Sequence, residues 1–419
     1  MERKLFLLAI TSLGVGGFLA FVVAMARTPG VYKYFPPNYF YHALVGHVDL
    51  AIVVFLLTFT MVLWQRYYQT VPRFSYYLAL AGFFLIAAAA LAGQGKAVSN
   101  NYLPTIVHPL FFLGAGSFFA GFWIATLSTL PRAMKDISST YPEKHTLSLT
   151  VALSFLMLVA FLLSTFKTGS HDEVYLFYER LYWAPGHIHQ YINGALLLFC
   201  WYYLSKKDIK IDKLRWVSVS FLLFGSLLAL VPVLFQDPVS REAKVFTEVA
   251  YAVGLGIPMF VHAFFILKEA GLKPEGLHKT GLLLSMSLYF LGIAIAYMGF
   301  GQDLRVPAHY HGAVTSLTLS LMILSYDYLV GEGKRIKLSL SKLQTIMYGV
   351  GMILFVLGLY FAGKRHAPRK TYGTAYTDDP FVLFSLALMG VGTLLAVISG
   401  IIFVVYVLKK SLEVSDHGR

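Results

Sequence analysis

Residues 306–314 read VPAHYHGAV and place two imidazoles, His309 and His311, one residue apart at the mouth of an apolar run. Helical neighbours two apart point about 200° from each other. The pair is therefore ill suited to gripping one ion, but it can serve two centres on opposite sides of one helix. His47 lies about two turns into another apolar run, and His187 opens a third. Tyr191 follows His187 by four residues, which puts both on one helix face. His262 falls inside a further run. Imidazole binds transition metals as the neutral ring and exchanges protons near neutral pH. Ionisable groups within a bilayer are costly and usually face a cavity, a cofactor or a partner.

The elements that must hold these residues follow from composition. The chain has 419 residues, 57% hydrophobic and 13% charged, with mean hydropathy +0.66; soluble domains carry about 25% charged residues. Twelve runs approach the roughly 20 residues a bilayer demands: 4–26, 41–64, 74–93, 105–130, 146–166, 186–204, 214–235, 245–268, 279–301, 308–329, 342–363 and 381–408. The expectation is an all-α integral membrane protein, a single bundle of about twelve transmembrane helices forming one domain over 1–419. The first run is too long for a signal peptide and lacks a small-residue cleavage site. Of the 34 Lys and Arg residues, 22 fall on the side of both termini and 12 on the other. The positive-inside rule then makes the termini cytoplasmic. The net charge of +13 is thus mostly topology, with attraction to anionic lipid. No basic domain stands apart, which excludes nucleic acid as a partner. Cys200 is the only cysteine and permits no intrachain disulfide.

Depth sorts the thirteen histidines. His108, His145, His171, His278, His366 and His417 are in or near loops, as solvated or interfacial side chains. His42, His47, His187, His189, His262, His309 and His311 are within spans or at their mouths. The second, sixth and tenth spans all start on the non-cytoplasmic side, and helices rise 1.5 Å per residue. His47, His187, His309 and His311 can therefore share one layer in the outer half of the bilayer, as ligands of a cofactor layer or each bonded to a neighbouring carbonyl. With His309 and His311 opposed, each can bind a different haem iron. His47 would face His311 across one haem and complete six-coordination, while His309 would leave its iron an open position for a gas.

These segments resemble subunit I of the haem–copper oxidase superfamily. VPAHYHGAV is similar to its tenth-helix signature, and YHALVGHVDL to its second-helix segment, which makes His47 the low-spin haem ligand. RLYWAPGHIHQYI resembles the sixth-helix W-x-x-G-H-P-x-x-Y pattern, with Ile188 in place of the proline; there the histidine binds copper and the tyrosine joins the active site. YLPTIVHPLFFLGAGSF is also similar. APRKTYG resembles the loop whose basic pair, here Arg369 and Lys370, bonds haem propionates. The resemblance spans nearly the whole chain and leans toward the B-type branch, which includes oxidases of thermophiles. It implies two haems of unspecified type and a prokaryotic cytoplasmic membrane. It also implies reduction of O2, or of NO, at a high-spin haem fed by a low-spin one, with His187 and Tyr191 in the catalytic site. His262 falls where some members carry a polar residue of a proton-uptake path; bonding to a neighbouring helix is the other reading. Asp49 is a weaker candidate for proton handling.

The pattern breaks at the second metal, copper or non-haem iron. Aligning GIPMFVHAFF and the QDP at 236–238 puts Pro232 and Val233 where the family has an adjacent histidine pair. Imidazole metal sites generally use three protein ligands or more, and His187 supplies one. A non-catalytic oxidase-like haem protein, for electron transfer, gas sensing or assembly, is accordingly the second reading, and a transporter the third. No CxxCH or copper–thiolate cluster is present, so electrons must come from a cytochrome or cupredoxin-like subunit, or from a quinol.

Overall fold

The computed structural model describes residues 1–169, 173–299 and 302–413. His171 and His417 lie outside the described residues. Among the described residues, twelve long helices follow in order: α1 (Glu2–Met25), α2 (Pro37–Tyr68), α3 (Arg73–Ala92), α4 (Pro109–Asp136), α5 (Pro142–Lys167), α6 (Val174–Ser205), α7 (Leu214–Phe235), α8 (Arg241–Ala270), α9 (Gly276–Tyr297), α10 (Arg305–Gly331), α11 (Leu338–Lys364) and α12 (Pro380–Leu412). Eleven are long and apolar enough to cross a membrane. The other, α6, carries the polar stretch GHIHQYIN, which dilutes its apolar character. The protein is an all-α integral membrane protein.

Local chemistry sets the helix starts. Pro37, Pro109, Pro142 and Pro380 occupy first-turn positions, where a missing N–H costs nothing. The expected span 105–130 starts later, at Pro109, because Thr105–Val107 form strand β2, paired antiparallel with β1 (Lys96–Val98). The residue before a proline prefers extended backbone, and His108 adopts it. Three helices contain a π-helical segment that their sequences do not announce: Asp49–Val54 in α2, Val219–Leu223 in α7 and Ala252–Gly256 in α8.

Chain contacts form two compact units. The first comprises Met1–Phe6, Leu56–Ala89 and Gln94–Gly271. In it α5 packs along α6, and Trp64 donates its indole N–H to Thr150 Oγ1 at 2.9 Å. His145, expected at an interface, is instead fully buried with Nδ1 2.7 Å from the Ile137 carbonyl; α5 begins at Pro142 and carries it inward. The second unit comprises Leu7–Phe55, Ala90–Gly93 and the described residues from Leu272 onward. There α9 packs on α10 and α11 on α12, around a core that includes Leu304, Ala308, Val356 and Leu386.

Candidate cofactor site

His47 on α2 and His311 on α10 both belong to the second unit. Their rings are nearly parallel, 9° apart, with centres separated by 6.3 Å. A metal–imidazole bond is about 2.0–2.1 Å, and a ring centre lies about 1.1 Å behind its nitrogen, so two axial imidazoles on one metal have centres about 6.3 Å apart. The spacing fits a shared metal. Each Nδ1 faces a backbone carbonyl: His47 that of Gly16 on α1 at 3.1 Å, His311 that of Pro307 one turn earlier at 2.7 Å. A carbonyl only accepts, so Nδ1 carries the proton and Nε2 presents its lone pair. Metal-bound histidines are oriented in this way. The carbonyl bond and the ligand role are therefore compatible.

Two glycines permit the close helix approaches these bonds need. A Cβ at Gly16 would sit 2.6 Å from the Ala51 backbone nitrogen, and one at Gly292 would sit 2.7 Å from the His309 carbonyl oxygen. Gly292 in turn accepts from His309 Nδ1 at 2.9 Å, so the third candidate ligand has the same tautomer.

Arg369 and Lys370 lie in the loop between α11 and α12. Lys370 has φ 55° and His366 φ 58°, a left-handed backbone unusual for side chains of this size. The loop is tied down on several sides. Gly373 N donates to the Ala26 carbonyl, Leu304 N to the Ala367 carbonyl, and the Tyr372 hydroxyl contacts the Tyr32 and Phe35 carbonyls. Arg369 lies near Tyr310, the residue between His309 and His311.

In the first unit, His187 is buried and donates Nδ1–H to the Trp183 carbonyl at 2.6 Å, again leaving Nε2 with its lone pair. Its ring sits among Tyr102, Trp183 and Tyr251, with centres 4.7, 4.8 and 5.1 Å away. Tyr251 also stacks on Tyr191 at 5.4 Å, so His187 and Tyr191 share a face as their spacing required. The Tyr191 hydroxyl donates to the Ala250 carbonyl at 3.1 Å. Pro232 and Val233 are buried near the end of α7, in a turn that packs against α6. Among the described residues, no group of three His, Cys, Asp or Glu side chains is placed to hold a metal ion. The residues around His187 thus do not fit a three-imidazole copper site.

His262 is fully buried and bonded through both ring nitrogens, Nδ1 to the Tyr202 hydroxyl at 2.6 Å and Nε2 to Ser218 Oγ at 2.7 Å. It links α6, α7 and α8. Asp49, two residues after His47 in the α2 π-helical segment, is 1% exposed and neither carboxyl oxygen has a hydrogen-bond partner. Sequence reasoning weighed both residues. It missed Gly16, Gly292 and Arg27, since a glycine or arginine near a helix end carries no distinguishing local signal.

The fold is similar to that of a heme-copper terminal oxidase. A dimeric enzyme so described, solved by cryo-electron microscopy, superposes with TM-score 0.77 at 18% identity, covering 99% of this chain and 84% of that one. The chain belongs to the same family as a protein of Aquifex aeolicus (strain VF5) whose function is uncharacterised, 39% identical over 366 residues, or 86% of this chain and 92% of that one. A second uncharacterised relative, RP382 of Rickettsia prowazekii (strain Madrid E), is 25% identical, covering 97% of this chain and 94% of its own length. No family model matches the sequence.

Proposed function

We propose that the chain is a haem-binding membrane oxidoreductase of the heme-copper oxidase type, reducing O2 or NO. The observation that carries this reading is the parallel His47–His311 pair, 6.3 Å between ring centres, with both Nδ1 atoms committed to carbonyls. When bound, one haem would carry electrons and a second, on His309, would bind the gas. His47 and His311 would both hold the low-spin haem iron, and α10 would carry ligands of both centres. Arg369 and Lys370 would hold haem propionates. Tyr191 would place a phenol one turn from His187, and the Tyr202–His262–Ser218 chain is a route along which protons can be handed between hydroxyls. Electrons would come from a cytochrome or cupredoxin-like subunit, or a quinol. Both termini would be cytoplasmic, in a prokaryotic cytoplasmic membrane, with the basic loops against anionic lipid.

The test is an optical spectrum of the purified protein. Reduced protein should show one six-coordinate, bis-histidine haem and one five-coordinate haem, with carbon monoxide binding only the latter; a folded chain with no haem band ends the reading. The second reading, a haem protein without turnover, is favoured by one observation: aromatic rings, not further ligands, surround His187.

Two smaller effects follow. Gly16→Ala forces α1 away from α2 and costs His47 its acceptor; losing such an orienting bond typically weakens metal binding about 10–100-fold, read as the low-spin haem retained through purification. Arg369→Gln removes a charge-assisted bond of roughly 1.5–3 kcal/mol and stabilises the ferric form. A haem midpoint potential should fall, and unchanged potentials at both haems would remove Arg369 from this role.

A further inference from the structure

Arg27, just beyond the end of α1, is a buried cation of the second unit. It is 7% exposed. One guanidinium nitrogen donates to the Pro368 carbonyl at 2.6 Å, while Nε is buried without a hydrogen-bond partner. The Tyr376 hydroxyl lies beside it, but in an arrangement that leaves the phenol oxygen unpartnered too. Its other electrostatic neighbours are the phenols of Tyr310 and Tyr41. Among the described residues no carboxylate pairs with it. Burial lowers its pKa, yet a guanidinium starts so high that it stays charged. A buried charge without a counter-ion is strongly unfavourable, so this position is suited to an anion.

The surroundings say which anion. Arg27 and Arg369 both act on Tyr310, which lies between the two α10 histidines. The carbonyl that receives Arg27 belongs to Pro368, the neighbour of Arg369. The helix that Arg27 follows also supplies the Gly16 carbonyl that orients His47. We propose that Arg27 binds a carboxylate of the low-spin haem, as a third cation beside Arg369 and Lys370. This rests on the haem reading above. The unused Nε–H and a terminal N–H together form the fork that a carboxylate accepts in bidentate fashion, and the cation raises the haem's potential by opposing the ferric charge.

Potentiometric titration of the wild type, R27Q and R27K tests it. R27Q should shift the ferric-to-ferrous ratio of the low-spin haem at least tenfold at fixed potential, a midpoint about 59 mV lower for one electron, with a smaller change at the high-spin haem. R27K keeps the charge and should stay within threefold of wild type. A low-spin potential unmoved in R27Q overturns the proposal. Equal shifts in R27Q and R27K also overturn it, since both lose the bond to Pro368 and Arg27 would then only anchor the loop. If R27Q does not accumulate, R27K decides: the haem carboxylate bands in its redox-difference infrared spectrum must differ from wild type, and unmoved bands overturn it. A wild-type protein without haem bands takes down the underlying reading as well, and the wild-type spectrum alone distinguishes that failure.

Discussion

His47→Ala is expected to abolish the six-coordinate haem spectrum while leaving carbon monoxide binding at the other haem in place. The His47 and His311 rings stand at the separation two axial imidazoles impose on one metal, and each presents Nε2 because Nδ1 is held by a carbonyl. Removing one would leave a bound haem iron with a single protein ligand. Asp49, in the neighbouring π-helical segment, is buried with neither carboxyl oxygen hydrogen-bonded, and a carboxylate ligand there would not restore a bis-histidine signature. The low-spin bands should convert wholly to high-spin ones, and His311→Ala should do the same or lose the haem. His309→Ala should instead remove carbon monoxide binding and spare the six-coordinate signal, because residues two apart on α10 face opposite ways. His108→Ala, at the start of α4, should change neither spectrum. A bis-histidine signature that survives His47→Ala would sink the assignment, and with it the axis on which the haem reading turns.

The second large effect is on turnover. Oxygen reduction in a complete terminal oxidase needs a second metal beside the gas-binding haem. His187 has the correct tautomer for a ligand, but rings of Tyr102, Trp183 and Tyr251 occupy its surroundings, and Pro232 and Val233 stand where the sequence resemblance would put two further histidines. One imidazole cannot define a copper geometry or exclude competing metals. The purified chain should hold less than one tightly bound copper, with O2 uptake orders of magnitude below that of a complete oxidase. Histidines at both positions, P232H together with V233H, should raise copper binding. Pro232 sits in the first turn of the segment Val231–Phe235, after the 3-10 segment Leu228–Leu230, where a proline is tolerated; having no N–H, it donates no bond that its replacement would remove. Stoichiometric copper or non-haem iron with fast turnover in the wild type would show that ligands come from elsewhere and that the ordinary enzyme reading holds.

The sequence by itself determined the class of fold and most of its boundaries. Apolar runs of bilayer length are a local property, so eleven of the twelve expected spans coincide with apolar helices in the structure and the remaining one with α6. It also determined that His309 and His311 must face apart, since helical geometry alone dictates that, and that His187 and Tyr191 share a face. Tertiary structure decided the rest. That His47 and His311 stand parallel at 6.3 Å depends on how α2 and α10 pack, residues 264 apart in the chain meeting across an interface. The tautomers depend on carbonyls delivered by Gly16 and Gly292, which become acceptors only because those glycines let helices approach closely. His145 reads as an interfacial residue and is a buried one, and Arg27, one residue past the first apolar run, is buried as well. Burial and partnership are relations between distant segments, and no spacing within one segment encodes them.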